Sequence, residues 1–174
     1  MKVGAWPKLA RKGAGDQRDA RTGPPGPKVM LLTGTHPCTL DDKKRLGLPK
    51  RVREQLGNPA NLVVTPGLDK CLWVYTQASL EQMMATTLDQ TPATDEDARV
   101  FRRLFFARTE TVTVDRTGRI LVPDRLIQFA GLEHEVVLIG GRDHLEVWDA
   151  QRWQHYAAEN EPRFDAVAER AFQK

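Results

Sequence analysis

The chain has 174 residues, of which 40% are hydrophobic and 28% charged, a balance that suits one ordinary globular domain or two small halves. No apolar run approaches the ~18–20 residues that span a bilayer, and the polar, basic start lacks the apolar stretch of an export signal, so a membrane protein or a secreted one is not expected. The net charge of +3 is unevenly placed: residues 1–28 hold seven basic side chains against two acidic, and the rest of the chain holds 19 against 21, so nucleic-acid binding has to be argued from a local patch.

Residues 1–28 are rich in Gly, Pro, Lys and Arg, and Gly23-Pro24-Pro25-Gly26-Pro27 can neither propagate a helix nor pair as a central strand. They read as a disordered basic tail, either passive or an arm that adds attraction to phosphates. A first half is expected over 29–76. A strand at 37–40 leads through a polar turn into a short strand at 46–48. Pro49 then opens a short helix, at the first helical position, where its fixed φ is suited. Gly57 stands where a helix C-terminus takes the left-handed conformation. Two more strands, around 62–65 and 71–75, close the half. The cysteines, Cys38 and Cys71, fall in its apolar segments. They read as free thiols of a reducing compartment, with a disulfide conceivable.

A helical connector is expected over 77–108. Ser79-Leu80-Glu81-Gln82 has the form of a capping box leading into Met83. Pro92 interrupts, and Thr94-Asp95-Glu96-Asp97 then supplies a cap and an acidic first turn to a helix with apolar Phe101, Leu104 and Phe105. A second half is expected over 109–149. Its strand at 109–114 alternates apolar and polar residues. Pro123 opens its helix, Gly131 ends it, and strands follow at 136–139 and 145–148. Residues 150–174 read as a terminal helix.

The two halves repeat. Leu40-Asp41-Asp42-Lys43-Lys44-Arg45-Leu46-Gly47-Leu48-Pro49 matches Val114-Asp115-Arg116-Thr117-Gly118-Arg119-Ile120-Leu121-Val122-Pro123 at a constant offset of 74. The shared pattern is apolar, Asp, three residues, Arg, apolar, any, apolar, Pro. Near Leu72-Trp73-Val74-Tyr75 and Leu145-Glu146-Val147-Trp148 the register slips by one. Asp stabilises turns by accepting backbone hydrogen bonds. An Arg four residues on then projects from a fixed point with a fork that suits phosphate or guanine. Around the first copy, residues 41–53 carry a local +4; the second copy carries +1 over Asp115, Arg116, Arg119, Asp124 and Arg125. Salt bridges from Asp41 to Arg45 and from Asp115 to Arg119 are the purely structural alternative, and spacing does not choose between them.

These segments, together with Thr65-Pro66-Gly67-Leu68-Asp69-Lys70-Cys71, Asp97-Ala98-Arg99-Val100-Phe101-Arg102-Arg103 and Leu145-Glu146-Val147-Trp148-Asp149, resemble the MraZ family of AbrB-like regulators over roughly residues 30–156. The tail and the stretch beyond about 156 look unusual for it. The resemblance implies an α+β, mainly β fold of two tandem swapped-hairpin AbrB-like barrel halves with connecting helices. It implies a sequence-specific, double-stranded-DNA-binding transcriptional regulator of the division and cell-wall gene cluster. Such a regulator assembles as a homo-oligomeric ring on tandem promoter repeats, in the cytoplasm and at the nucleoid. The DNA-contacting arginine maps onto Arg45 and Arg119, and the acidic residue that shapes the loop onto Asp41 and Asp115. Lys43, Lys44 and Arg116 are expected to add phosphate attraction. Lys44 stands where the family usually has Gly. A positive φ there implies either strain or a turn that tolerates Lys and gains a phosphate contact.

An enzyme is not expected. No nucleophile–base pair stands out, Ser79 is the only serine, and no Gly-rich phosphate loop joins a strand to a helix. His36, His134, His144 and His155 share no metal-ligand spacing, and His36, Cys38 and Cys71 give only part of a tetrahedral set. Neither metal nor cofactor is expected. The remaining rival is an oligomeric protein-interaction scaffold without direct DNA binding, with Trp73, Tyr75, Trp148, Trp153 and Tyr156 as interface anchors. For Trp73 and Trp148, core packing is the favoured role.

Overall fold

Each half contributes four strands among the residues that the computed structural model describes, which are 31–88, 90–92 and 94–173; the expected tail, 1–28, lies outside the described residues. The first half contributes β1 (Thr35–Thr39), β2 (Arg45–Gly47), β3 (Asn61–Pro66) and β4 (Leu72–Tyr75), with a short helix α1 (Lys50–Gln55) between β2 and β3. The second contributes β5 (Glu110–Thr113), β6 (Arg119–Leu121), β7 (Glu135–Gly140) and β8 (Leu145–Asp149), with α4 (Asp124–Ala130) between β6 and β7. Between the halves lie α2 (Gln77–Met83), a π-helical turn (Met84–Leu88) and α3 (Glu96–Arg108). After β8 come α5 (Ala150–Asn160), a 3₁₀ turn (Glu161–Arg163) and α6 (Phe164–Phe172).

The halves exchange their first hairpins. A six-stranded antiparallel sheet runs β1-β7-β8-β4-β3-β5, and β2 pairs with β6 in a two-stranded ribbon. Thus β1 of the first half pairs with β7 of the second, and β5 of the second pairs with β3 of the first. The registers repeat with the sequence: Cys38 faces Val136, and Val112 faces Leu62. The arrangement therefore has an internal pseudo-two-fold axis, which passes between Leu46 and Ile120 on the ribbon. Edge placement explains how β1 accommodates Pro37, since an edge strand can do without one backbone donor.

One core serves both halves. Leu46, Val52, Leu62, Ile120, Leu126 and Leu138 are all fully buried in it. Burial of such side chains stabilises by about 1.5–3 kcal/mol each, so the interlocked halves share their main source of stability. The two short helices end as the glycines predict: Gly57 and Gly131 both have positive φ. Pro49 and Pro123 sit one position earlier than expected, with extended ψ as N-caps rather than as first helical residues.

The helix boundaries differ from the sequence reading in two further places. Ser79 is not the cap of α2; Thr76 is, and Ser79 completes the capping box from the third helical position. Asp95 caps α3 as its sequence suggests, through the Ala98 backbone. Residues 150–172 are not one helix: Pro162, which has no backbone donor, falls in the 3₁₀ turn that separates α5 from α6. Among the described residues no helix is long and apolar enough to cross a membrane.

Candidate nucleic-acid interface

The two repeated motifs build two nearly identical turns. In the first, the Asp41 carboxylate accepts the backbone N–H groups of Lys43 and Arg45, each at 2.9 Å. In the second, Asp115 accepts those of Thr117 at 2.8 Å and Arg119 at 2.9 Å. Each Asp also closes its turn through its own carbonyl, which accepts from Lys44 at 2.8 Å or Gly118 at 2.9 Å. Hydrogen bonds from the Arg45 backbone and guanidinium hold the Asp41 carboxyl below its ordinary range. The Thr117 hydroxyl and the Arg119 backbone do the same for Asp115. Both carboxylates are therefore structural acceptors that stay charged.

The turns are locked to each other across the ribbon. The Leu48 N–H donates to the Gly118 carbonyl and the Val122 N–H to the Lys44 carbonyl, both at 2.9 Å. Leu46 and Ile120 point into the core with no exposure. Since successive strand residues face opposite ways, Arg45 and Arg119 point outward on one face. Their guanidinium groups converge on a single oxygen. Asp41 Oδ2 lies 2.8 Å from Arg45 Nη2 and 3.3 Å from Arg119 Nη1. The salt bridge between Asp41 and Arg45 that spacing allowed is present. The bridge that Arg119 makes is to Asp41, in the other half.

Of the remaining sequence candidates, Lys43 and Arg116 are exposed at the tips of the two turns. Lys44 does adopt a positive φ, 61°, beside 80° for Gly118. Its ammonium pairs with Asp124 at the start of α4, 2.6 Å away, while remaining half-exposed. Gly118 is buried because Arg53 of α1 lies over it; a Cβ there would meet Arg53 Nε at 2.6 Å. Arg53 Nε donates to the Leu48 carbonyl at 3.2 Å. Sequence reasoning counted Arg53 as charge only. The signal was in the repeat: Arg53 aligns with Ile127, so the second half has no equivalent arginine.

The arrangement therefore presents two forked cations that share one carboxylate oxygen, with Lys43 and Arg116 exposed in the same two turns. Planar guanidinium groups held this way suit phosphate oxygens or the acceptor edge of guanine. The Thr117 hydroxyl donates to Asp115 Oδ1 at 2.7 Å as part of the turn. Elsewhere, Cys38 is half-buried and Cys71 buried, both as free thiols; burial pushes them up to about 11 and about 12. No group of three potential metal ligands occurs among the described residues.

The family model for MraZ protein matches the chain twice, over residues 31–104 and 105–174. The second match runs to the end of the chain, so the stretch beyond about residue 156 follows the family pattern, contrary to expectation. Similar proteins bear the name transcriptional regulator MraZ. The one from Moorella thermoacetica is 40% identical over 140 residues, which cover 80% of this chain and 96% of that protein. The one from Saccharopolyspora erythraea is 42% identical over 139 residues, or 80% and 95%. The one from Acetivibrio thermocellus is 38% identical over 142 residues, or 80% and 96%.

Proposed function

Since this chain belongs to the MraZ family, we propose that it is a transcriptional regulator that binds double-stranded DNA through the paired turns of its β2–β6 ribbon. The observation that carries the reading is the convergence of Arg45 and Arg119 on one outward face, set by two copies of one turn. Their guanidinium groups are the base- or phosphate-reading groups. Lys43 and Arg116 add phosphate contacts, as does Lys44 once it parts from Asp124. Asp41 and Asp115 fix the backbone from which the arginines project.

One such ribbon makes few contacts and binds weakly. The chain therefore acts as a homo-oligomer, a ring whose neighbouring ribbons engage tandem promoter repeats together, at the nucleoid in the cytoplasm. Linkage of this kind raises avidity by roughly 10² to 10⁴ over a single site. The relatives bear a regulator's name, not an enzyme's.

The test is fluorescence anisotropy with DNA taken from upstream of the chain's own gene, on the parent, Arg45→Ala and Arg119→Ala, with oligomer mass monitored. Each substitution is expected to cost about 1–3 kcal/mol of repeat-specific binding. Parental binding by both variants at unchanged mass would leave the scaffold reading standing instead.

A further inference from the structure

The two turns differ in what lies behind them. Behind the Asp115 turn is a cavity of about 240 Å³, walled by Leu48, Leu56, Leu62 and Val114, with Arg53 and Asp115 as its charged residues. That is room for a small molecule, since a dry cavity of about 150 Å³ already holds a benzene ring. The opening follows from the sequence. At the offset of 74, Arg53, Asn58 and Ala60 align with Ile127, Leu132 and His134. In the second half Leu132 is buried, Ile127 packs against the core, and His134 Nδ1 donates to the Leu40 carbonyl at 3.0 Å. In the first half Asn58 and Ala60 are both exposed at the cavity wall.

The two charged groups have unused capacity. Arg53 is half-buried and donates through Nε alone, to the Leu48 carbonyl at 3.2 Å; its terminal nitrogens have no partner among the described residues. Asp115 spends Oδ1 on its own turn, and its Oδ2 accepts no hydrogen bond among the described residues. The equivalent oxygen of Asp41 is occupied by Arg45 and Arg119. Arg53 also lies against Gly118, whose N–H donates to the Asp115 carbonyl. Both charges therefore stand at one end of the cavity, and no ion pair joins them among the described residues.

Small-molecule sites combine an apolar lining with a few polar groups that fix orientation. Here those groups are a planar donor fork and a carboxylate. A simple anion such as phosphate is disfavoured, because Asp115 meets it as a like charge, and a simple cation meets Arg53 in the same way. A molecule with both charges satisfies both residues.

We propose that this cavity binds a small aliphatic zwitterion, with the chemistry of an α-amino acid. The Arg53 guanidinium takes the carboxylate, Asp115 Oδ2 accepts from the ammonium, and Leu48, Leu56, Leu62 and Val114 enclose the aliphatic body. The site backs the turn that presents Arg119 and has no equal behind the turn of Arg45. It goes beyond the functional reading and requires neither DNA nor self-assembly.

Saturation-transfer NMR on the full chain tests it, with L-leucine as the probe and 4-methylpentanoate and 3-methylbutylamine as analogues that each lack one charge. The L-leucine methyl signals are expected to show saturable transfer with a Kd of about 1 mM. Each analogue should bind at least about tenfold more weakly, having lost a charge-assisted hydrogen bond. Arg53→Ile and Ala60→His each install the residue of the second half and should abolish the transfer. Ala60→His is expected to fold, since the Ala60 carbonyl accepts from Val114 as the His134 carbonyl does from Leu40, both at 2.9 Å; its thermal transition checks this. No saturable transfer at roughly 10 mM L-leucine, transfer that survives either substitution, or equal binding by either analogue would each overturn the proposal.

Discussion

Asp41 and Asp115 occupy equivalent positions but do unequal work. Each uses Oδ1 to hold two backbone N–H groups of its own turn. Only Asp41 also uses Oδ2 to hold two guanidinium groups. Replacement by Asn preserves the backbone acceptor and turns the other oxygen into a donor, which no longer attracts an arginine. Asp41→Asn is therefore expected to release both arginines, lowering discrimination between repeat and scrambled DNA by roughly tenfold to a hundredfold, with a smaller change for Asp115→Asn. Equal losses in anisotropy titrations would show the carboxylates to be interchangeable. The lysine and glycine beside them are also unequal. Gly118→Lys brings a side chain into a left-handed position and displaces Arg53 from the Leu48 carbonyl. It should lower stability by about 1–3 kcal/mol in urea unfolding. Lys44→Gly relieves backbone strain but loses an exposed ion pair, so its midpoint should stay within about 1 kcal/mol of the parent. A tolerated Gly118→Lys would refute this account.

The β2–β6 ribbon connects those turns to the core. Leu46 and Ile120 lie opposite each other on the pseudo-two-fold axis, fully buried. Leu46→Ala or Ile120→Ala should cost about 2–5 kcal/mol, read from denaturation midpoints, and a smaller loss would mean that the ribbon is not part of the core. Much at this scale was legible in advance. The offset of 74 fixed the equivalence of the turns, the strands and the terminating glycines. In the strand at 109–114 alternation marked Val112 as an inward residue, as it is, but periodicity does not identify the partner strand. The pairing of β1 with β7 came into view only through the family resemblance. Ser79 misled because a serine at the third helical position of a capping box looks, in sequence, like the cap itself. Pro162 was passed over in what read as one terminal helix. The contact of Arg53 with Gly118 joins residues distant in sequence, and Asp124 paired with Lys44 is likewise invisible to local pattern.

At the scale of the molecule, the two-pronged face sits on a body of nearly balanced charge. DNA affinity is therefore expected to come from a few local cations. The logarithm of affinity should fall linearly with that of salt concentration. Lys43→Ala should reduce the slope by about 1 per binding ribbon while preserving sequence preference; an unchanged slope would remove Lys43 from the phosphate contacts. The partial legibility has a physical cause here as well. Composition and repeats report what a chain buries within itself, whereas the approach of Arg119 to Asp41 of the other half exists only once the two hairpins have been exchanged.

The exchanged hairpins also constrain how the protein is made. Thr35 pairs with Ile139, so the strand synthesised first waits for one about 100 residues later. At roughly 5–20 residues per second, a nascent chain spends several seconds with an unmatched β edge outside the ribosome. Neither half can mature on its own, and a product that stops short of β7 leaves that edge bare and prone to aggregation. Production of this protein is accordingly most vulnerable to interrupted translation, even where the finished molecule is stable.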